Sequence, residues 1–294
     1  MKVRANGLDF EVEESGPAGG PVVLLVMGLG MQLIAWPQPF VDALAAEGYR
    51  VLRFDNRDIG LSAHLDHLGV PNILWESLKL RLGLPVRSPY RLEDLARDGL
   101  ALLDALGVEQ AHVVGASMGG MVAQRMAIAA PQRLRTLTSI MSSSGARRLP
   151  GPTPKVQRAL LGRPRDRSEG AIVDHAVKVF RLIGSPGFPI PEPDLRERVL
   201  AAVRRNHHPA GSLRQLTAIV ADVNRADQLA AVRVPTLVLH GEDDPLVPLA
   251  CGADTARRIP GARLVTVPGM GHDLPLGVVE RLLPPLLAHL DCLH

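Results

Sequence analysis

The residues most suited to chemistry are a serine and two glycines in the stretch 112–121, His-Val-Val-Gly-Ala-Ser-Met-Gly-Gly-Met. An apolar strand pattern breaks there into Gly115-Ala116-Ser117-Met118-Gly119 and is followed by an alanine-rich helical pattern. In such a sharp strand-to-helix turn the backbone comes too close for side chains at the two glycine positions, and the serine hydroxyl stands above the sheet edge. The five-residue pattern is weak alone, but this context predicts that Ser117 is a nucleophile.

A serine hydroxyl attacks a carbonyl only when a base accepts its proton and a third group orients that base. Among ten histidines, His272 follows a predicted strand, residues 262–267, in the glycine-rich loop 268–272. His240 lies at the end of a buried strand, and His112 lies inside the strand before Ser117, so both are predicted to be structural. We therefore predict that His272 is the base.

Three carboxylates, Glu242, Asp243 and Asp244, follow the penultimate predicted strand, residues 236–240. Glu242 and Asp243 are typical of turn residues near the start of a helix. The alternative place for an acid, directly after the sixth strand, offers only three serines, residues 142–144. Asp244 is thus the predicted acid.

Acyl transfer also needs two donors for the oxyanion that forms at the attacked carbonyl. The backbone N–H of Met118, directly after the nucleophile, is one predicted donor, and that of Leu29, after the buried strand at residues 22–27, is the other. Methionines in segments near the site indicate an adaptable apolar substrate pocket. The predicted pocket residues are Gly28, Met31, Trp36, Met141 and Met270.

These residues must be positioned by an alternating series of strands and helices. An opening hairpin at residues 2–14 is followed by buried apolar strand patterns that alternate with amphipathic helical patterns, the clearest at residues 92–106. Continuous apolar strands are typical of a parallel sheet that helices cover on both faces, and such sheets place their chemistry at the carboxyl ends of the strands. Ser117, Asp244 and His272 all fall at such ends.

Residues 145–232 interrupt this alternation with prolines, glycines and helical patterns. We interpret them as a helical cap inserted into one α/β core, which gives core residues 1–144, cap residues 145–232 and core residues 233–294. A second independent domain is disfavoured, because the α/β pattern resumes afterwards and needs the first part to complete its sheet. A cap would exclude water and shape the pocket.

Composition excludes several classes of protein. The 294 residues carry 33 Lys and Arg against 30 Asp and Glu, without a long block of one sign, so a nucleic-acid partner is not expected. The arginines at 163, 165 and 167 are predicted to lie in a solvated loop. Cys251 and Cys292 are too few for a disulfide scaffold or a zinc site. No segment suits a signal peptide or a membrane span, so we expect a soluble, cytoplasmic monomer or homodimer.

The sequence resembles the α/β-hydrolase superfamily nearly from end to end, and within it the aclacinomycin methylesterase-like branch. The motifs that carry the resemblance are Val-Met-Gly at 26–28, Phe-Asp-Asn-Arg-Asp-Ile-Gly-Leu-Ser at 54–62, the motif around Ser117, and Pro-Gly-Met-Gly-His at 268–272. The resemblance implies a mainly parallel eight-stranded sheet with a helical cap and a triad of Ser117, Asp244 and His272. Asp244, directly before Pro245, matches the turn that holds the acid in these hydrolases.

The sequence thus predicts a serine carboxylic-ester hydrolase that forms an acyl-enzyme on a small-to-medium apolar ester, with methyl esters among the candidates, and that needs neither metal nor cofactor. The same triad leaves lactone hydrolysis, carbon–carbon bond hydrolysis, perhydrolysis and acyl transfer open. A serine nucleophile argues against haloalkane dehalogenase and epoxide hydrolase chemistry. A catalytically silent ligand-binding protein of the same fold is the alternative from another class.

Overall fold

The computed structural model describes residues 1–291, and for Arg81 its backbone alone. The described residues form one eight-stranded sheet. Its strands are β1 (Lys2–Ala5), β2 (Leu8–Ser15), β3 (Val22–Val26), β4 (Arg50–Phe54), β5 (Ala111–Ala116), β6 (Leu134–Ile140), β7 (Thr236–Gly241) and β8 (Arg263–Val267).

The strands lie in the order β1-β2-β4-β3-β5-β6-β7-β8. The hairpin of β1 and β2 pairs antiparallel with β4, and all pairings from β4 to β8 are parallel. The hairpin turns at Asn6 and Gly7, which both have positive φ, as the two central residues of a type I′ turn require. The expected mainly parallel eight-stranded sheet is confirmed.

Eleven helices accompany the sheet in the described part of the chain. They are α1 (Gln38–Ala46), α2 (Ile73–Arg81), α3 (Leu92–Ala105), α4 (Met118–Ala129), α5 (Pro154–Leu161), α6 (Glu169–Ile183), α7 (Glu192–Arg205), α8 (Pro209–Ala221), α9 (Arg225–Gln228), α10 (Leu249–Arg258) and α11 (Leu276–Leu290).

The central strands are apolar throughout because both faces of the sheet are covered. In β3, Val22, Leu24 and Val26 contribute to a first core, which also contains residues of α3 and α4. Val23 and Leu25 contribute to a second core on the other face, with residues of α1 and α11. This division explains why a continuous apolar run, rather than an alternating one, predicts a strand here.

Helices α5 to α9 lie between β6 and β7, within the predicted cap. Helices α6 and α7 pack on each other through a small apolar cluster of Val173, Val177, Leu195 and Val199. Helices therefore occupy much of residues 145–232, where the sequence has helical patterns. No helix among residues 1–291 combines the length and apolar character needed to cross a bilayer.

A buried ion pair ties this insertion to the sheet. Arg214 of α8 donates two hydrogen bonds of 2.8 Å to the carboxylate of Asp58, in the loop after β4, and both side chains are fully buried. Burial alone would raise the pKa of Asp58, but the hydrogen bonds from Arg214 and from the backbone of Leu65 hold it below its usual value. The pair is therefore ionised and depends on both partners.

Replacing Arg214 with methionine is expected to lower the free energy of unfolding by about 3–5 kcal/mol, because it leaves Asp58 buried without its cation. Urea unfolding followed by circular dichroism measures this. The matched control is Arg196→Met, whose partner Asp174 is exposed and whose loss should cost less than about 1 kcal/mol. Since the folded-state pKa of Asp58 is depressed, the Arg214 effect is expected above about pH 4 and should fade at lower pH. Equal effects of the two substitutions would contradict this interpretation.

Candidate active site

Ser117 lies at the junction of β5 and α4 with φ 55° and ψ −121°. Positive φ is strained for a residue with a side chain and persists only where its surroundings impose it. The amide of Ser117 donates to Ile140 O at 2.9 Å, and α4 begins directly afterwards at Met118. The short connection turns the hydroxyl away from the sheet.

Steric contacts explain why residues 115 and 119 of the motif are glycines. A Cβ at Gly115 would lie 2.2 Å from Gly119 O, and a Cβ at Gly119 would lie 1.9 Å from Val26 O. Both contacts are with backbone, which cannot rotate away. The close approach of β3, β5 and α4 thus requires glycine at these positions.

Gly119→Ala is therefore expected to lower the free energy of unfolding by more than about 3 kcal/mol, because a buried backbone segment must shift. Thermal unfolding in parallel with Gly19→Ala checks this. A Cβ at Gly19 meets no atom within 4 Å, so that control should behave like the parent protein. A stable Gly119→Ala variant would show that the elbow can rearrange.

The loops after β7 and β8 bring an acid and a base to Ser117. His272 Nε2 lies 2.9 Å from Ser117 Oγ, and His272 Nδ1 lies 2.7 Å from Asp244 Oδ2. The other carboxylate oxygen, Oδ1, accepts hydrogen bonds from the amides of Leu246 and Val247. A carboxylate facing Nδ1 assigns the ring proton to that nitrogen and leaves the Nε2 lone pair directed at the serine hydroxyl.

The neighbouring carboxylates have other partners. Asp243 Oδ2 accepts from the amide of Gly269 at 2.9 Å, and Glu242 Oε1 accepts from Thr266 Oγ1 at 2.7 Å. The structure therefore places Asp244, rather than either of these, against His272. Asp243 and Glu242 fasten the loop after β7 to the end of β8.

The two competing histidines are buried and occupied elsewhere. His240 lies beneath the turn that holds Asp244, where its Nε2 donates to Val247 O at 2.8 Å. Burial lowers its pKa, so the neutral ring is favoured. His112 Nδ1 lies 2.9 Å from Thr136 Oγ1 inside the sheet. Neither histidine contacts Ser117 among the hydrogen bonds of residues 1–291.

The predicted oxyanion donors belong to the loop after β3 and the start of α4. A Cβ at Gly28 would lie 3.1 Å from the Cβ of Ser117, so the β3 loop runs directly beside the nucleophile. Gly30 donates its amide to Gln215 Oε1, and Met31 donates to Gly28 O. Within residues 1–291, the amides of Leu29 and Met118 have no such acceptor. They are available to an oxygen bound beside Ser117.

The motif at residues 54–62 braces this loop. Asn56 Nδ2 donates to Met27 O at 2.9 Å, and Asp55 Oδ1 accepts from the amide of Leu33 at 2.7 Å. Asp55 Oδ2 also accepts from Leu61 N and from Arg205 of α7. These contacts hold both ends of the segment that contains Leu29.

Comparison with known proteins places the chain in a family. The family described as "alpha/beta hydrolase fold" matches residues 21–276. The chain belongs to the α/β-hydrolase fold family.

Relatives of this α/β-hydrolase act on several ester-like substrates, as their names state. It is 32% identical to the rhodomycin D methylesterase DauP of Streptomyces sp. strain C5, over 93% of this chain and 91% of that protein. It is 30% identical to a putative carbamate hydrolase, RutD, of Caulobacter segnis, over 97% of each chain. The enol-lactonase of Burkholderia xenovorans LB400 shares the fold, with a TM-score of 0.73 at 23% identity over 99% of each chain. The two relatives of 30% identity or more support an esterase-type hydrolase.

The predicted pocket residues of the α/β-hydrolase differ in exposure. Gly28 adjoins Ser117, and Met31 is half-buried against the second core. Met141, directly after β6, has φ 41° and is almost fully buried. Trp36 stacks on a neighbouring phenylalanine in the second core, and Met270 is also completely buried there. A pocket role for these residues remains a prediction. Trp36 and Met270 could contact a substrate only if the second core opened.

Residues of the insertion hold the loop that carries His272, a connection the sequence did not indicate. The amide of His272 donates to Ile183 O at 2.7 Å, and that of Gly271 donates to Ser185 Oγ at 2.9 Å. Asp273 Oδ1 in turn accepts from the amide of Ser185. Burial raises the pKa of Asp273 despite these hydrogen bonds. In the sequence, Asp273 directly after His272 was the one available sign that this loop has a polar partner.

His64, Asp66 and His208 form a polar cluster between the β4 loop and α8. Their nitrogen and oxygen atoms lie within 4.8 Å of one another, which is close enough to consider a metal ion. The two imidazole rings are stacked, however, with centroids 3.9 Å apart and an interplanar angle of 3°. In-plane lone pairs of parallel rings do not converge on one ion, and Asp66 already accepts from Arg214. The cluster links insertion and core instead.

Cys251 is buried and free, and burial raises the pKa of its thiol. It is therefore a poor nucleophile. The other cysteine, Cys292, lies outside the described residues.

Proposed function

We propose that this protein is a serine carboxylic-ester hydrolase that works through an acyl-enzyme. The observation that carries the proposal is the continuous hydrogen-bonded series from Ser117 Oγ through His272 to Asp244. Beside it lie the amides of Leu29 and Met118, which donate to no acceptor within residues 1–291. A nucleophile, a base, an orienting acid and oxyanion donors are the complete set that acyl transfer requires.

In the proposed mechanism Ser117 Oγ attacks the ester carbonyl while its proton moves to His272 Nε2. The amides of Leu29 and Met118 donate to the oxyanion of the tetrahedral intermediate. His272 then gives the proton to the departing alcohol, and the carbonyl re-forms as an ester of Ser117. A water molecule, deprotonated by His272, attacks this acyl-enzyme, and the acid leaves as Ser117 recovers its proton. Asp244 stabilises the imidazolium in both halves.

We further propose that the substrate is the ester of an apolar acid with a small alcohol. The methylesterase relative DauP, at 32% identity over 93% of the chain, supports a methyl ester. The half-buried Met31, in the loop after β3, is consistent with apolar substrate groups. Residues 145–232 would act as the cap over this site. Cytoplasmic localisation remains a prediction from the sequence.

Hydrolysis of p-nitrophenyl esters of increasing acyl length, alongside methyl esters of aromatic acids, tests the proposal. We expect turnover by the parent protein and none by Ser117→Ala. Labelling by a fluorophosphonate that Ser117→Ala abolishes would identify the nucleophile independently of the chosen ester. Absence of both turnover and labelling would favour the silent ligand-binding protein.

A further inference from the structure

The segment after the β4 loop exposes an unusual amount of apolar surface. Half of the large apolar residues exposed among residues 1–291 fall between positions 68 and 84. Four of them, Leu74, Trp75, Leu78 and Leu82, lie on α2 or directly after it, and we call them the α2 ridge. Leu74 is 67% exposed and Trp75 is 55% exposed. Contiguous exposed apolar surface of this kind marks an interaction site.

The ridge is one face of an otherwise docked helix. At 100° per residue, positions 74, 75, 78 and 82 fall within about 100° of the helix circumference. The opposite side contains Glu76, which is buried, and the helix packs on α8. The ridge is therefore directed outward by the packing of α2, and nothing in residues 1–291 covers it.

Charge distinguishes the possible occupants of the ridge. Residues 68–91 contain four basic residues, Lys79, Arg81, Arg87 and Arg91, and one acid, Glu76. Their net charge of +3 equals that of the whole chain, so the remaining residues are balanced. Glu76 is occupied by Lys79 Nζ at 2.6 Å and the amide of Arg87 at 2.8 Å. A second copy docked symmetrically would bring two such positive segments together, whereas an anionic surface would attract them.

We propose that the α2 ridge docks this protein on an anionic lipid surface. Leucine and tryptophan enter the boundary between headgroups and acyl chains, and the exposed Arg87 and Arg91 contact lipid phosphates. A surface groove lined by Trp75, Lys79, Leu84 and Arg87, among others, offers both kinds of contact at one place.

A short series of contacts links the ridge to the catalytic residues. Helix α2 packs on α8, and Gln215 of α8 accepts the amide of Gly30, which follows the predicted oxyanion donor Leu29. Docking would thus hold the oxyanion side of the molecule near esters dissolved in lipid. This adds a binding surface and leaves the proposed chemistry unchanged.

Flotation with phosphatidylcholine vesicles, with and without phosphatidylglycerol, tests the proposal by binding rather than activity. We expect at least about tenfold tighter binding to the anionic vesicles, and loss of this difference at high salt. Only two tryptophans are present, and Trp36 is 1% exposed. A blue shift of the emission on binding, absent in Trp75→Phe, would therefore report the ridge itself.

Matched variants distinguish binding through the ridge from non-specific binding to vesicles. Leu74→Ser/Leu78→Ser and Arg87→Glu/Arg91→Glu should each weaken binding by about tenfold or more. The controls are Leu276→Ser, at an equally exposed position on α11, and Arg4→Glu/Arg97→Glu, at exposed arginines elsewhere; both should bind like the parent. Ser117→Ala should also bind normally, which keeps this test independent of the esterase proposal.

Two outcomes would overturn the proposal. One is flotation that is absent or indifferent to the ridge substitutions. The other is a concentration-dependent dimer, seen without vesicles, that Leu74→Ser/Leu78→Ser dissociates, because the ridge would then be covered by a second copy.

Discussion

His272→Ala is expected to lower kcat/KM for a p-nitrophenyl ester by about 10⁴-fold or more. Without the imidazole, Ser117 Oγ loses the only acceptor that lies within hydrogen-bonding distance of it on the described side chains. The Ser117 proton then has no base to receive it, and the departing alcohol has no acid to protonate it. Both half-reactions are affected, so the loss should appear in kcat rather than in KM.

The matched control for this prediction is His67→Ala, at an exposed loop position. That variant should retain parental kinetics, which would show that removing a histidine is not damaging in itself. Unfolding of His272→Ala must be compared with that of the parent as well, because His272 is buried. A stable, folded His272→Ala protein with ordinary turnover would remove this residue from the mechanism.

The candidate site is predictable from the sequence where local geometry imposes residue types. Gly115 and Gly119 are fixed by backbone contacts across the elbow, and Ser117 by its strained turn. The positions of Asp244 and His272 followed from the rule that parallel strands place their carboxyl ends at one edge. Each of these features imposes a local pattern of residue types, and such a pattern can be identified in a single sequence.

Features that depend on tertiary partners were not visible. Ser185 holds the loop of His272 by accepting from the amide of Gly271, which lies 86 positions further along the sequence. No spacing rule links a serine after a helix to a distant loop. Asp55 and Asn56 belong to the motif at residues 54–62, which the sequence analysis identified. Their contacts with Leu33 and Met27, which hold the β3 loop, are visible only in the structure. Long-range polar contacts have no sequence period.

Helix α2 illustrates a different limit. The apolar residues of the α2 ridge do not face the core, so the assumption that apolar periodicity marks a buried face fails for them. Leu74, Leu78 and Leu82 repeat every four residues and are nevertheless exposed. A helix whose apolar face points outward has the same sequence pattern as one whose apolar face is buried, and only the fold distinguishes them.

Asp244→Asn is expected to lower kcat by about 10⁴-fold with little change in the fold. Asp244 Oδ2 accepts the Nδ1 proton of His272 at 2.7 Å, while Oδ1 accepts two backbone amides. An asparagine whose oxygen keeps those two amides would present its NH₂ group to Nδ1. The favoured tautomer would then carry its proton on Nε2, where it cannot accept the proton of Ser117.

Asp243→Asn is the matched control, because it makes the same chemical change one residue away. The amide oxygen of an asparagine can still accept from Gly269 N, the partner of Asp243, so activity should remain within about threefold of the parent. Stopped-flow measurement of p-nitrophenol release would show slow acylation in Asp244→Asn and a normal rate in the control. The reverse result would assign the acid to Asp243. Equal, parental rates in both variants would mean that the His272 tautomer is set without either carboxylate.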